Sequence, residues 1–149
     1  MGGSNRKKGV GWVLRDGIGC FISAGGYGEM RCVSALIVEA EVIPEALTQC
    51  LEFGFDKVGM ESDSLSLIKM LNQEVVMDLQ IEGILFDIQC LSQHFHQVKF
   101  MYAPRKCNQA THLVEAYVFH SGGRLSWDIV CPEWLFNCVA QDVNCSIRI

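Results

Sequence analysis

Apolar and polar positions change rhythm several times along the chain, and each change marks an element. "GVGWVLR", Gly9 to Arg15, alternates with the period of two expected of a strand. "DGIG", Asp16 to Gly19, reads as a tight hairpin turn, because Asp-Gly accepts the positive φ that such turns need. Cys20 to Ala24 returns as the partner strand, and the glycine-rich "GGYGE" after it reads as a loop or a strained strand end. From about Ser34 to Phe53 the spacing turns helical: Leu36, Ile37, Ala40, Ile43, Leu47, Cys50 and Leu51 recur at threes and fours, with Gly54 as C-cap. Pro44 interrupts that stretch, deleting one helix hydrogen bond and crowding the carbonyl of Ala40.

The second half repeats the alternation of short strands and helices. Lys57 to Glu61 predicts a buried strand and about Asp63 to Asn72 a helix. Ile81 to Phe95 predicts another helix, with Ile84, Leu85, Ile88 and Leu91 on one face. Val98 to Tyr102 is a strand ended by Pro104, and a helix follows from about Cys107 to His120. "SGG" breaks the chain again, and Pro132 opens a short amphipathic segment, "PEWLFNCV". A hairpin followed by helices alternating with strands is an α/β layout with a mixed sheet. No repeat or linker divides the 149 residues, which predict one domain.

Composition narrows the function classes. Half the residues are hydrophobic and 19% are charged, which excludes a disordered chain. The longest apolar runs, such as "VSALIV" and "GILF", are too short to span a bilayer, and no apolar segment follows the basic "MGGSNRKK" as a signal peptide would require. The eight cysteines contain no Cys-x-x-Cys pair and read as reduced core thiols, which points to an intracellular protein, nuclear or cytoplasmic. The net charge of −5 is opposite in sign to that of most phosphate-gripping proteins. Only Arg6-Lys7-Lys8 and Arg105-Lys106 are basic clusters, so nucleic-acid contact is expected to be local, weak or metal-assisted.

Glu39, Glu61 and Asp63 are the candidate chemistry. Glu39 sits among apolar neighbours in the first helix, where a carboxylate is costly unless solvated, paired or bound to metal. Asp63 ends a strand, and ligands of open α/β sheets gather at carboxyl strand ends. Glu61, two residues earlier on an extended strand, points to the same face. Two readings stand at this point: converging carboxylates for Mg2+ or Mn2+, or an exposed helix glutamate and a plain N-cap.

Longer motifs add a resemblance. "GVGWVLRDGIG", "EAEVIPEAL", "FGFDKVGMESDSLSLIKML", "VKFMYAPRKCNQATHLVEA" and "WDIVCPEWL" together resemble the plant ribonuclease H-like domains related to the ribonuclease H part of retroelement reverse transcriptases. The resemblance spans roughly Gly9 to Asp142 and implies a ribonuclease H-like domain over residues 9–142, a basic stub at 1–8 and a tail at 143–149. It implies hydrolysis of the RNA strand of an RNA–DNA hybrid by two divalent ions, Mg2+ or Mn2+, held by four acidic positions. Glu39 and Asp63 match two of those positions as metal ligands, and His112 stands at the fourth. Arg105 and Asn108 match positions of possible substrate contacts. The remaining acid belongs to the first strand, and no Asp occurs before Asp16.

That first strand is central in the family, between the second strand and the one that ends at Asp63. Met1 to Lys8 lack any β-branched or aromatic residue with which to build it. The expectation is a sheet with its central strand missing or supplied otherwise: by a strand-donating protein or second copy, by closure into a smaller sheet, or not at all in a truncated product. Pro44 is expected to bend the helix past Glu39. Glu115, where relatives keep alanine, is expected to cost stability unless it snorkels or pairs with Arg105 or Lys106. The functional expectation is a nucleic-acid-binding domain with weakened or lost hybrid hydrolysis. The alternative is a non-catalytic module that binds protein or nucleic acid.

Overall fold

The alternation in "GVGWVLR" builds strand β1, Arg6–Arg15, and the glycine-rich segment after the hairpin continues the return strand β2, Phe21–Cys32, instead of forming a loop. These are features of a computed structural model that describes residues 6–16, 20–32, 34–76, 79–128, 130–136 and 147–148. Helix α1, Ala35–Glu52, leads to β3, Lys57–Ser62; α2, Leu65–Leu71, and α3, Glu82–Ser92, precede β4, Gln97–Tyr102. A 3-10 turn at Arg105–Cys107 enters α4, Gln109–Ser121, and β5, Arg124–Asp128, and β6, Ile147–Arg148, complete the order.

The sheet runs β4-β3-β6-β1-β2-β5. β1 pairs antiparallel with β2 from Arg6 opposite Cys32 onward, so the basic residues before Gly9 extend the strand. β5, which the chain's periodicity did not announce, pairs antiparallel with the outer edge of β2. β3 and β4 are parallel from Lys57 opposite Gln97 to Ser62 opposite Tyr102.

Between the two halves lies β6. It is antiparallel to β1, with Val13 opposite Arg148 and Leu14 opposite Ile147, and parallel to β3, with Met60 opposite Ile147 and Glu61 opposite Arg148. The central position expected to lack a strand is filled here from the far end of the same chain. None of the three alternatives weighed from the sequence foresaw this source.

Strand alternation then divides the core by face. Val10, Trp12 and Leu14 join α1 residues Val38, Ile43 and Leu47 and α3 residues Leu85 and Ile88. Val13 and Ala24 face the other way, with Ala110, Val114 and Val118 of α4 and Leu135. Helices thus cover both faces, as a sheet with two apolar surfaces requires. α4 comes unusually near β2 because Gly28 has no side chain: a Cβ there would stand 1.8 Å from the Val118 carbonyl oxygen.

Helix α1 runs unbroken through Pro44, and Thr48 Oγ1 donates to the Pro44 carbonyl at 2.7 Å. The proline does not end the helix. α1 is fastened at mid-length instead: the Tyr27 hydroxyl donates to Glu45, Arg124 pairs with the same carboxylate, and the Arg124 guanidinium lies 5.5 Å from the Tyr27 ring centre. Burial and the neighbouring carboxylate push the Tyr27 phenol up to about 12. β2, α1 and β5 are locked together through three side chains. The thiols are less uniform than expected, since Cys50 is a core residue pushed up to about 12 by burial while Cys20 and Cys90 are exposed. No described helix is long and apolar enough to cross a membrane.

Candidate nucleic-acid cleft

Asp63 occupies the bend between a fully paired strand and a capped helix. The Ser62 carbonyl accepts from Ala103 N at 2.9 Å, and its hydroxyl accepts from Ser64 N at 3.1 Å. Ser64, not Asp63, caps α2, accepting from Leu67 N at 3.4 Å. The cap is thus served by a serine, and the neighbouring aspartate is left for something else.

That something is His112. Its Nε2 lies 2.7 Å from Asp63 Oδ2, and its Nδ1 lies 3.1 Å from Glu115 Oε2. Ionised carboxylates only accept hydrogen bonds, and a neutral imidazole has one N–H, so both contacts are satisfied together only by the protonated ring. The pKa of His112 is accordingly raised, first by the hydrogen bond it donates to Glu115, against an opposing effect of burial, and then by Asp63. Side chains only 17–18% exposed keep the trio from being fully screened by water. The expected partner of Glu115, Arg105 or Lys106, is replaced in the fold by a histidine one turn earlier on its own helix.

A raised folded-state pKa sets a sign. Below the unfolded value near 6.5 the ring is charged in both states and the interaction contributes in full; as pH rises through the higher folded value, that stability is lost. Urea midpoints of the wild type are expected to fall between pH 6 and 9, and His112→Gln should flatten the fall. Parallel curves for the two proteins would rule the interaction out as the source.

Glu39, Asp63 and His112 line one hollow. Its volume is about 400 Å³, and its walls are Gly9, Glu39, Asp63, Arg105, His112, Glu115, Ala116, Phe119 and His120. Arg105 also borders a second hollow of about 570 Å³ with Lys106, Gln109, His112 and Leu113. Asn108 is fully buried beneath the turn and Glu61 belongs to the strand behind; neither lines either hollow. Sequence reasoning took Glu115 only as a packing misfit and left His120 outside the site, although 112, 115, 116, 119 and 120 share one helical face and could have been read as a set. Gly9 brings α4 up to the cleft, because a Cβ there would meet the Glu115 carbonyl oxygen at 2.4 Å.

Among the described residues no three His, Cys, Asp or Glu side chains surround a point fit for a metal ion. His112 separates the carboxylates of Asp63 and Glu115, and only Glu39 and Asp63 of the expected acids share the hollow.

Comparison with known proteins sets this geometry in context. Residues 2–116 match the reverse transcriptase-like family. Among solved structures, RNase H1 from the halophilic archaeon Halobacterium salinarum is similar, with a TM-score of 0.73 and 21% identity over 82% of this chain and 92% of the other. The N-terminal RNase H domain of Rv2228c from Mycobacterium tuberculosis, solved as a fusion with maltose-binding protein, aligns with a TM-score of 0.58 and 12% identity over 75% of this chain and 95% of that one. No curated protein matches the chain significantly.

Proposed function

The chain belongs to the reverse transcriptase-like family and has a ribonuclease H fold, and from that premise we propose that its cleft binds nucleic acid, an RNA–DNA hybrid, with hydrolysis weakened or lost. The observation that carries this reading is the meeting of Glu39, Asp63 and His112 on one hollow, with Asp63 already engaged by the histidine. Arg105 and Lys106 border the adjoining hollow and are suited to phosphate oxygens. Buried Asn108 acts by holding the turn that carries them, not by touching the substrate.

Mg2+ or Mn2+ favours hard oxygen donors, and Glu39 and Asp63 supply two. That set suits one hydrated ion. It does not fit the pair of ions, held by four acids, on which hydrolysis depends. Asp63 Oδ2 would also have to exchange His112 for a cation. The charge of an imidazolium in place of a metal still favours an approaching phosphate, but it supplies no activated water.

Binding and cleavage separate the two halves of the proposal. Fluorescence anisotropy with a labelled RNA–DNA hybrid should show saturable, salt-sensitive binding. Arg105→Ala combined with Lys106→Ala should weaken it about tenfold and shallow the salt dependence. With Mg2+ or Mn2+, strand cleavage should not exceed that of a Glu39→Ala, Asp63→Ala control. Brisk cleavage abolished by the control substitutions would overturn the loss of hydrolysis. Absence of binding would overturn the whole reading.

A further inference from the structure

On the side of the sheet that carries α4, the cover is incomplete. α4 packs on β1 and β2, and the cluster it forms with Val13, Ala24 and Leu135 includes no described residue of β3 or β4. Those two strands are parallel, and parallel strands are ordinarily buried on both faces. One face is buried here: Val58, Met60, Val98 and Phe100 join the core with α1 and α3. Alternation turns Lys57, Gly59, Glu61, Gln97, Lys99 and Met101 to the other side. Gly59 reports how open that side is. A Cβ there would meet nothing within 4 Å except the Met101 methyl, whereas at Gly9, Gly11 and Gly28 it would run into α4.

Charge decides what such a face can take. Lys57, Gln97 and Lys99 are exposed, and Met101, 38% exposed, is its one large apolar side chain. A packed helix would find little there to bury. Glu61 has its Oε2 shut off from solvent and is engaged within the fold, and Asp56, in the turn before β3, accepts from His96 N at 3.3 Å. The exposed charges on the face are therefore two lysines. With Gly59 opposite Lys99, the two lysine Cα atoms lie about 8 Å apart, from a strand spacing of about 4.8 Å and a rise of about 3.3 Å per residue. Both strands run toward the cleft: β3 leads to Asp63, and β4 to Arg105 and Lys106, which border the second hollow. In a chain of net charge −5, Lys57, Lys99, Arg105 and Lys106 thus form an exposed cationic path along one side.

We propose that this bare face carries a single nucleic-acid strand leaving the cleft, with phosphates of that strand on Lys57 and Lys99. The inference rests on the reading of the cleft as a hybrid site. Lys57 stands six residues before Asp63, about 20 Å back along the strand. A duplex is stiff over about 150 base pairs and does not turn from the strand ends onto the sheet behind them, whereas a single strand does.

The test is fluorescence anisotropy of the full chain with a blunt RNA–DNA hybrid of about 10 base pairs, and with the same hybrid carrying an unpaired tail of about 12 nucleotides on either strand in turn. A tail should tighten binding about tenfold at low salt and steepen the salt dependence by about 1.4, the share of two phosphates on a single strand. Lys57→Gln with Lys99→Gln, exposed changes that leave the melting curve in place, should erase the tail's gain and leave the affinity for the blunt hybrid unchanged. Arg105→Ala with Lys106→Ala should weaken both. A blunt hybrid that binds with no gain from either tail, or a gain that survives the double glutamine variant, overturns the proposal and leaves the cleft reading standing. Displacement of the tail by poly-glutamate with blunt binding intact assigns the face to an acidic polypeptide and overturns it equally. Binding of no hybrid at all overturns the cleft reading, and this proposal with it.

Discussion

Removing the chain from Ile147 onward is expected to cost several kcal/mol and to leave a protein that unfolds at markedly lower urea concentration. β6 is the strand that joins the β2-β1 half of the sheet to the β3-β4 half. Its loss strips partners from the backbone at Val13 and Leu14 on one side and at Met60 and Glu61 on the other. Val13, Leu14 and Met60 are at most 1% exposed, so water does not readily replace the lost bonds. Each orphaned buried amide or carbonyl costs about 1–3 kcal/mol, and a domain of this kind has about 5–15 kcal/mol in all. Hydrogen exchange should register the damage first in Lys57–Ser62 and in the Val13 end of β1. A truncated protein with unchanged midpoint and protection would show that the central pairing contributes nothing to stability.

Gly28→Ala is expected to be nearly as harmful. The new methyl would stand 1.8 Å from the Val118 carbonyl oxygen and 2.7 Å from its carbon, both backbone atoms of α4 that cannot swing aside as a side chain does. Either β2 or the helix must move by more than an ångström, for a loss of about 3 kcal/mol or more. The same displacement reaches His112 and Glu115 through α4, so the variant should also lose the pH dependence that His112 imparts. Gly59→Ala is the matched control. Its methyl would meet only the Met101 methyl at 3.2 Å, the end of a flexible side chain. If the two substitutions proved equally mild, close approach of α4 to the sheet would be excluded as the reason for Gly28.

Much of the architecture was legible because burial repeats with the period of the element. α1, β3, α2, α3, β4 and α4 fall within a few residues of the boundaries read from spacing. What escaped follows a different logic. "GGYGE" reads as a loop or a strained strand end when its glycines are taken as conformational freedom, whereas Gly28 is there for lack of volume, a fact visible only once α4 is in place. β5 and β6 are short and edge- or slot-filling, and no local pattern says which distant strand will receive them. Glu39, Asp63 and His112, far apart in sequence, line one hollow. Glu115 was read as a misfit in a packed position, because its partner is a histidine on the same helix that sequence reasoning had reserved for metal.

The position of β6 also orders events in time. Val13 and its neighbour Arg148 are 135 positions apart, the difference of their numbers. The hairpin of β1 and β2 and the β3-helix-β4 unit are local and able to form early, whereas the seam between them waits for the largest loop in the molecule to close. During synthesis, both half-sheets emerge before the segment that unites them, each with a bare inner edge. Until that segment is made, both inner edges are open to mispairing.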